Sequence, residues 1–476
     1  MLIKCLMLTV FFAVMIGIGL YCRSHAADVK GFVLGGRSVG PWLTAFAYGT
    51  SYFSAVIFVG YAGQFGWKYG IASTWIGIGN ALIGSMLAWI VLGRRTRIMS
   101  QYLYNGLSRL FSMAFSIDYT ICIILMAVFT GIYVIAGGYM ATAINDFIQG
   151  IIMLIGIAAV IAAVLCSKGG FMNALQDLAA VEDASVSSSP GVFASFFGPD
   201  PLSLLSVILL TSLGTWGLPQ MVQKFYAIRS ETAIQTGMIV STVFALIVAG
   251  GCYFLGGFGR LFSESIDVAV NGYDSIIPTM LSDLPDVLIA LVIILVLSAS
   301  MSTLSSLVIA SSSTLTIDVI KDNIVADMNE KKQLTCIRFL IVVFIAVSVV
   351  IAIIQYKGNL SFIAQLMGIS WGALAGSFLA PFLFALYWRK TSLAACWTCF
   401  LFGSGVMIAN MLFPQLFPPL LQSPINAGAF VMLAGFVIVP VVSLLTPKPD
   451  PIFIRHAFAC YEKKVEAAQK LTLGGK

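Results

Sequence analysis

Charge is what this chain has least of. Only 10% of its 476 residues are charged, against about 25% in soluble domains, and the mean hydropathy is +0.98. That excludes ordinary soluble folds and makes the chain an all-α polytopic membrane protein. Histidine is scarcer still, with only His25 and His456, both in loop or tail. No catalytic triad, Walker loop or HExxH can be assembled, so nothing reads as an enzyme. Cys396 and Cys399 form a CxxC, but inside an apolar span and with no second pair nearby, which argues against zinc. The net charge of +6 is modest, and its placement follows membrane topology rather than nucleic-acid binding.

Long apolar runs are what the chain does have. A bilayer crossing takes about 20 residues. Runs of that kind fall at 3–22, 41–63, 70–93, 117–138, 142–166, 202–222, 236–260, 285–316, 333–355, 361–387, 393–412 and 426–446, which is twelve. Lys4 stands alone before the first run, while Arg23, Lys30 and Arg37 follow it. The positive-inside rule therefore places the N-terminus outside and keeps this segment as an anchor rather than a signal peptide. Arg94, Arg95 and Arg97 then mark an inside end, as do Lys224 and Arg229, Lys321 to Arg338, Arg389 and Lys390, and the tail from Lys448. Acidic loops, 167–201 and 264–286, read as outside.

The scheme fails once. The run 70–93 ends inside, yet 117–138 must begin outside, so an odd number of crossings is needed between them. Only Met99 to Ile117 is available, and it is short, weakly apolar and carries Arg109. Either a polar span squeezes through, or a helix is missing.

Three places carry candidate chemistry. The segment 298–313, SASMSTLSSLVIASSS, sits in an otherwise apolar run. At about 100° per residue, Ser298, Ser302, Ser305, Ser306, Ser312 and Ser313 share an arc of roughly 120°. Such a hydroxyl stripe serves either close helix packing or a hard cation, which prefers neutral oxygen ligands. Two spans look broken: FAYGTSYFS at 46–54 and TSLGTWGLP at 211–219. Glycine and proline weaken helix continuity, and paired interruptions in two halves point to a transporter midplane site. Asp146 is a carboxylate inside an apolar span, where ionisable groups are costly and usually functional. The alternative is a snorkelling or helix-start acid near the cytoplasmic face.

With these residues in view, the chain resembles the sodium:solute symporter family, which includes bacterial proline, pantothenate, sialic-acid and sugar symporters. The matching segments are GGRSVGPW (35–42), GTSYFSA (49–55), GGYMATAINDFIQG (137–150), GLPQMVQKFYAIRS (217–230), the serine segment, and PFLFALYWRKTS (381–392). The resemblance implies two inverted five-helix repeats, like the leucine transporter, with a leading helix and trailing helices. The implied division is 1–30 (leading helix and loop), 31–166 (first repeat), 167–201 (outer loop), 202–390 (second repeat), 391–446 (trailing helices) and 447–476 (cytoplasmic tail). It also implies a main sodium site made by the carbonyls of Thr50, Phe53 and Ala299 and the hydroxyls of Ser302 and Thr303. A second sodium site, present in some relatives, would fall on Asp146, Ser305 and Ser306, with Ser302 shared.

The chain departs from the family where the charge pattern also fails. Roughly forty residues, including an "LPEYL…RF" stretch and the first half of the third core helix, are absent around 98–101. The expected function is Na⁺-coupled import of a small organic solute across a bacterial inner membrane, with Na⁺ as the coupling ion. Ser54, Thr215, Trp216 and Gln220 are the groups expected nearest that solute, with Trp216 equally readable as a lipid-facing or packing aromatic. Tyr52, Val56 and Ile57 do not suit a polyhydroxylated sugar. Proline members carry an aspartate where Tyr52 stands, and aromatics where Thr211 and Thr215 stand. A small amino acid or a monocarboxylate is therefore the preferred solute. The alternative is a non-transporting sensor or defective paralogue. An ion channel is disfavoured, because no charged or TVGYG-like filter is visible.

Overall fold

The computed structural model describes residues 2–97, 119–357 and 363–461, apart from scattered gaps of one to three residues. The described chain is almost wholly helical, with an isolated parallel bridge between Val39 and Ile228. Among the described residues, nine helical stretches are long and apolar enough to cross a bilayer, or ten if the bent pair Pro201–Gly217 and Gln220–Tyr226 counts as one. Two of the nine, Val56–Arg97 and Met126–Ser167, each run to 42 residues. At 1.5 Å per residue each is about twice the bilayer's hydrocarbon thickness. Each also contains a glycine at positive φ: Gly70 (φ 61°) and Gly138 (φ 55°). A backbone turn at those glycines divides each stretch into two crossings. The described parts of all twelve apolar runs thereby fall largely in helices.

Contacts between loops sort the ends of these helices onto two faces. One face joins Lys4 to Asp286 (2.8 Å), Lys68 to Asp200 (3.2 Å), Arg260 to Asp183 (2.9 Å) and Lys168 Nζ to the Leu261 carbonyl (2.9 Å). The opposite face joins Arg338 to the Ala26 carbonyl (3.1 Å), Arg95 to the Leu386 carbonyl (3.1 Å), and Tyr461 to the Arg95 carbonyl (3.1 Å). Gly138 belongs to this second face, because it lies against Phe32. The helix that begins at Tyr119 and reaches Gly138 therefore starts on the first face. Residue 97 ends on the second. The ends flanking 98–118 thus lie on opposite sides, as the charge pattern requires. The segment Met99 to Ile117 itself, and the site of the expected deletion, lie outside the described residues.

Both expected breaks are present. The helix Pro41–Tyr52 stops at Phe53, whose backbone is extended (φ −84°, ψ 107°), and helical structure resumes at Val56 as a π-helix. Pro201–Leu213 passes through a 3₁₀ turn, Gly214–Gly217, then Leu218 in extended conformation, and restarts as Pro219–Tyr226. Proline suits such a restart, because its missing N–H is one that a helix start leaves unpaired anyway. The serine helix, Asp286–Thr314, packs against the far half of Tyr119–Ser167 and against Pro41–Tyr52. One buried apolar cluster, with Phe46, Phe53, Ile57, Met153, Ile157, Phe244, Leu295 and Ala299, joins these elements around the first break.

Candidate cation and solute site

A helix leaves its last four carbonyls without intrahelical donors. At the first break the Phe53 amide still reaches the Gly49 carbonyl (2.8 Å), but the Thr50 carbonyl is taken by another helix. Ser302 Oγ donates to it at 3.1 Å. The same hydroxyl lies 3.2 Å from the Ala299 carbonyl, and Thr303 Oγ1 donates to that carbonyl at 3.0 Å. Thr50 spends its own hydroxyl on Phe46 (2.9 Å), so it offers the cluster its carbonyl. Four of the five residues expected at the main sodium site therefore bring their oxygens together. Phe53, the fifth, sits buried where the chain leaves the helix. The donor set is neutral oxygen throughout, held between two packed helices, and this is the ligand chemistry that suits Na⁺.

The neighbouring cluster differs from expectation. Asp146 is fully buried, so it is neither a snorkelling acid nor a surface one. Ser306 is beside it and Ser305 donates to the Ser302 carbonyl (3.0 Å). Between them lies an ammonium: Lys224 Nζ is 3.5 Å from Asp146 Oδ2 and 2.9 Å from Ser306 Oγ. Ser306 Oγ in turn shares a hydrogen bond with Ser51 Oγ (2.8 Å). Lys224 stands 1% exposed, on the last turn of the second broken helix. The sequence counted it among the charges of an inside end; the structure makes it one half of a buried ion pair with Asp146. Removing one partner of such a pair typically costs about 3–5 kcal/mol. Its sequence neighbours Met221, Val222 and Phe225 are buried with it.

The four residues expected near the solute lie at the two breaks. Ser54 follows Phe53, and its hydroxyl accepts from the Val56 amide (3.4 Å). Thr215 is fully buried and donates to the Ser212 carbonyl (2.8 Å). Trp216 donates from its indole to the Ile83 carbonyl (3.1 Å) and packs in a cluster with Tyr48, Tyr52 and Trp89. It is a packing aromatic, not a lipid-facing one. Gln220 stands just past Pro219 and is 9% exposed. Tyr52 joins the two breaks, donating its hydroxyl to the Thr211 carbonyl (2.7 Å). Asn80 Oδ1 accepts from both Thr211 (2.9 Å) and Ser212 (3.1 Å). Sequence reasoning did not single out Ser51, Asn80 or Lys224, since none repeats a pattern.

Two interrupted helices with a buried oxygen cluster at one break define a secondary transporter of the leucine-transporter fold. Comparison with solved structures agrees on the fold. The chain superposes on a substrate-bound, outward-open Na⁺-coupled sialic acid symporter with a TM-score of 0.68, at 14% identity, covering 94% of this chain and 98% of that one. The chain belongs to the sodium:solute symporter family, whose model matches residues 32–103 and 95–403. Among curated relatives, the sodium/proline symporter of Staphylococcus aureus (strain NCTC 8325 / PS 47) is 26% identical over 495 residues, covering 93% of each chain. The two family-model matches overlap at 95–103, where the sequence led us to expect a departure from the family pattern.

Proposed function

We propose that the chain imports a small amino acid or monocarboxylate together with Na⁺ by alternating access. The oxygen cluster of Thr50, Ala299, Ser302 and Thr303 carries the reading, because it ties the first broken helix to the serine helix through groups that can turn to a cation. When Na⁺ enters, the two hydroxyls direct lone pairs to it and release the carbonyls they now bond. Phe53 supplies the remaining carbonyl from the break. Bound Na⁺ then fixes Pro41–Tyr52 against Asp286–Thr314, and the solute binds beside both breaks, near Ser54, Thr215, Trp216 and Gln220. The restart at Pro219 points a helix N-terminus toward the second break, where the positive end of its dipole favours a carboxylate. By linkage, Na⁺ raises solute affinity by the factor that solute raises Na⁺ affinity. The acidic face is outside and the basic face, with the tail, is cytoplasmic, in a plasma membrane. The repeats run over 31–166 and 202–390.

Solute uptake into proteoliposomes under an inward Na⁺ gradient tests this. The screen covers proline, other small amino acids, pyruvate, acetate and pantothenate. Uptake requires Na⁺ in the wild type. Ser302→Ala and Thr303→Ala each raise the Na⁺ concentration for half-maximal uptake by about 10-fold to 100-fold, since hydrogen bonds and contacts to a charged group are worth about 1.5–3 kcal/mol. Uptake that ignores Na⁺, or is untouched by both substitutions, rejects the site. A second reading rests on the junction at 95–103: the core is folded but transport is lost. Folded protein that takes up nothing supports it, and splicing a relative's missing stretch between Arg97 and Tyr119 then restores uptake.

A further inference from the structure

We propose that the Lys224 ammonium takes the place of a second sodium ion, so that the cluster around Asp146 and Ser306 is a tethered-cation site and each cycle carries a single mobile Na⁺. The proposal rests on the sodium-symport reading above. It deepens that reading by assigning the site that Asp146, Ser305 and Ser306 were expected to give to a second ion.

The geometry points to substitution rather than to a chance ion pair. Lys224 Nζ lies between the carboxylate of Asp146 (3.5 Å) and the hydroxyl of Ser306 (2.9 Å), the two groups that would face the ion. An ammonium there donates where a metal would accept electron pairs, and Ser306 Oγ accepts from it while sharing a second hydrogen bond with Ser51 Oγ. The three partners come from three elements: Asp146 from the helix after Gly138, Ser306 from the serine helix, and Lys224 from the second broken helix. The amine therefore ties three helices together, as a bound cation would. Lys224 and Asp146 are 1% and 0% exposed, and the ring of Tyr139 lies 5.2 Å from Nζ on another side. A metal ion placed in the same cluster would sit against a buried positive charge, with little water to screen the repulsion. Asp146 Oδ1 has no hydrogen-bond partner among the described residues, so Lys224 is the group that holds this carboxylate. Without the amine, the same oxygens are a buried, negatively charged pocket for a free cation.

Counting bound ²²Na⁺ on purified, detergent-solubilised full-length protein at saturating Na⁺ tests this without relying on transport. One ion per chain is expected for the wild type. Two are expected for Lys224→Ala, with Na⁺ binding turning from hyperbolic to sigmoidal. One is expected again when Asp146→Asn is added. Lys224→Met, which keeps most of the side-chain volume, guards against a cavity that impairs folding, and two ions are expected there as well. Two ions on the wild type overturn the proposal, as does an unchanged count in folded Lys224→Ala or Lys224→Met. No bound sodium on the wild type rejects the symport reading itself, a different outcome from either.

Discussion

Asp200 shows how one side chain can fix a helix and a face together. Its Oδ1 accepts from the Ser203 amide (3.1 Å), capping Pro201–Leu213, while Oδ2 pairs with Lys68 (3.2 Å). Partial burial works against ionisation of this carboxyl, but the Ser203 hydrogen bonds and Lys68 outweigh it and hold the pKa below the ordinary value. A depressed carboxylate pKa contributes stability that is present above the unfolded value, about 3.9, and is lost as pH falls through the folded value. Asp200→Ala is expected to cost about 1 kcal/mol near neutral pH, mostly the cap, since a half-exposed ion pair adds little. The difference from wild type shrinks below pH 4. Thermal melts at pH 7 and pH 3.5 check it, and a gap that widens in acid contradicts the assignment. At this scale the sequence was informative where residues repeat. The serine stripe placed Ser302 because helical spacing is visible in one dimension, while Thr303 was implied only by the family resemblance. Lys224 was not legible, because a rule that assigns charges to faces by position in sequence cannot see that three helices close over one of them.

At the scale of elements, glycines set how closely the helices around the cation cluster approach. A Cβ at Gly150 would stand 2.4 Å from Phe46 Cδ1 and 3.1 Å from Thr50 Cγ2, and one at Gly49 would stand 2.5 Å from Phe244 Cδ1. Those gaps seat Pro41–Tyr52 so that the Thr50 carbonyl meets Ser302. Gly150→Ala is expected to destabilise by about 1–3 kcal/mol through overpacking, and to weaken Na⁺ binding because Thr50 must shift. Gly17→Ala on the leading helix meets nothing within 4 Å. It is expected to be neutral or slightly stabilising, since alanine is the better helix former by up to about 1 kcal/mol. Melting with and without Na⁺ separates the two effects: Gly150→Ala loses part of the Na⁺-induced rise in Tm, Gly17→Ala keeps it. Equal behaviour of the pair refutes the link between close packing and the site. The breaks themselves were legible, because Gly49, Gly214, Gly217 and Pro219 announce them. Their neighbours were not. That Tyr52 would bond Thr211, or that Trp216 would turn inward to Ile83, depends on contacts between residues more than a hundred positions apart.

The whole molecule is organised by its two faces, and these test the orientation directly. The face that carries Asp177, Glu182, Asp183, Asp200 and Glu264 is acidic, and the face with Arg94, Arg95, Arg389, Lys390 and Lys448 is basic. The positive-inside rule puts the basic face in the cytoplasm. The described cations of the acidic face are each engaged on that face: Lys4, Lys68 and Arg260 with carboxylates, and Lys168 with the Leu261 carbonyl. Phe197, 65% exposed, lies on the acidic face, and Lys390 is exposed on the basic one. On a cysteine-less background, Phe197→Cys is expected to react with a membrane-impermeant maleimide in intact cells. Lys390→Cys is expected to react only after permeabilisation. Reversed labelling inverts the orientation while leaving the fold intact. Labelling of both from one side refutes the sorting of faces, and with it the requirement that the chain pass from one side to the other between Arg97 and Tyr119. That passage is the point at which the family model divides in two. If the labelling is as expected, the chain must pass between opposite faces within the 21 residues from 98 to 118 in every molecule that folds.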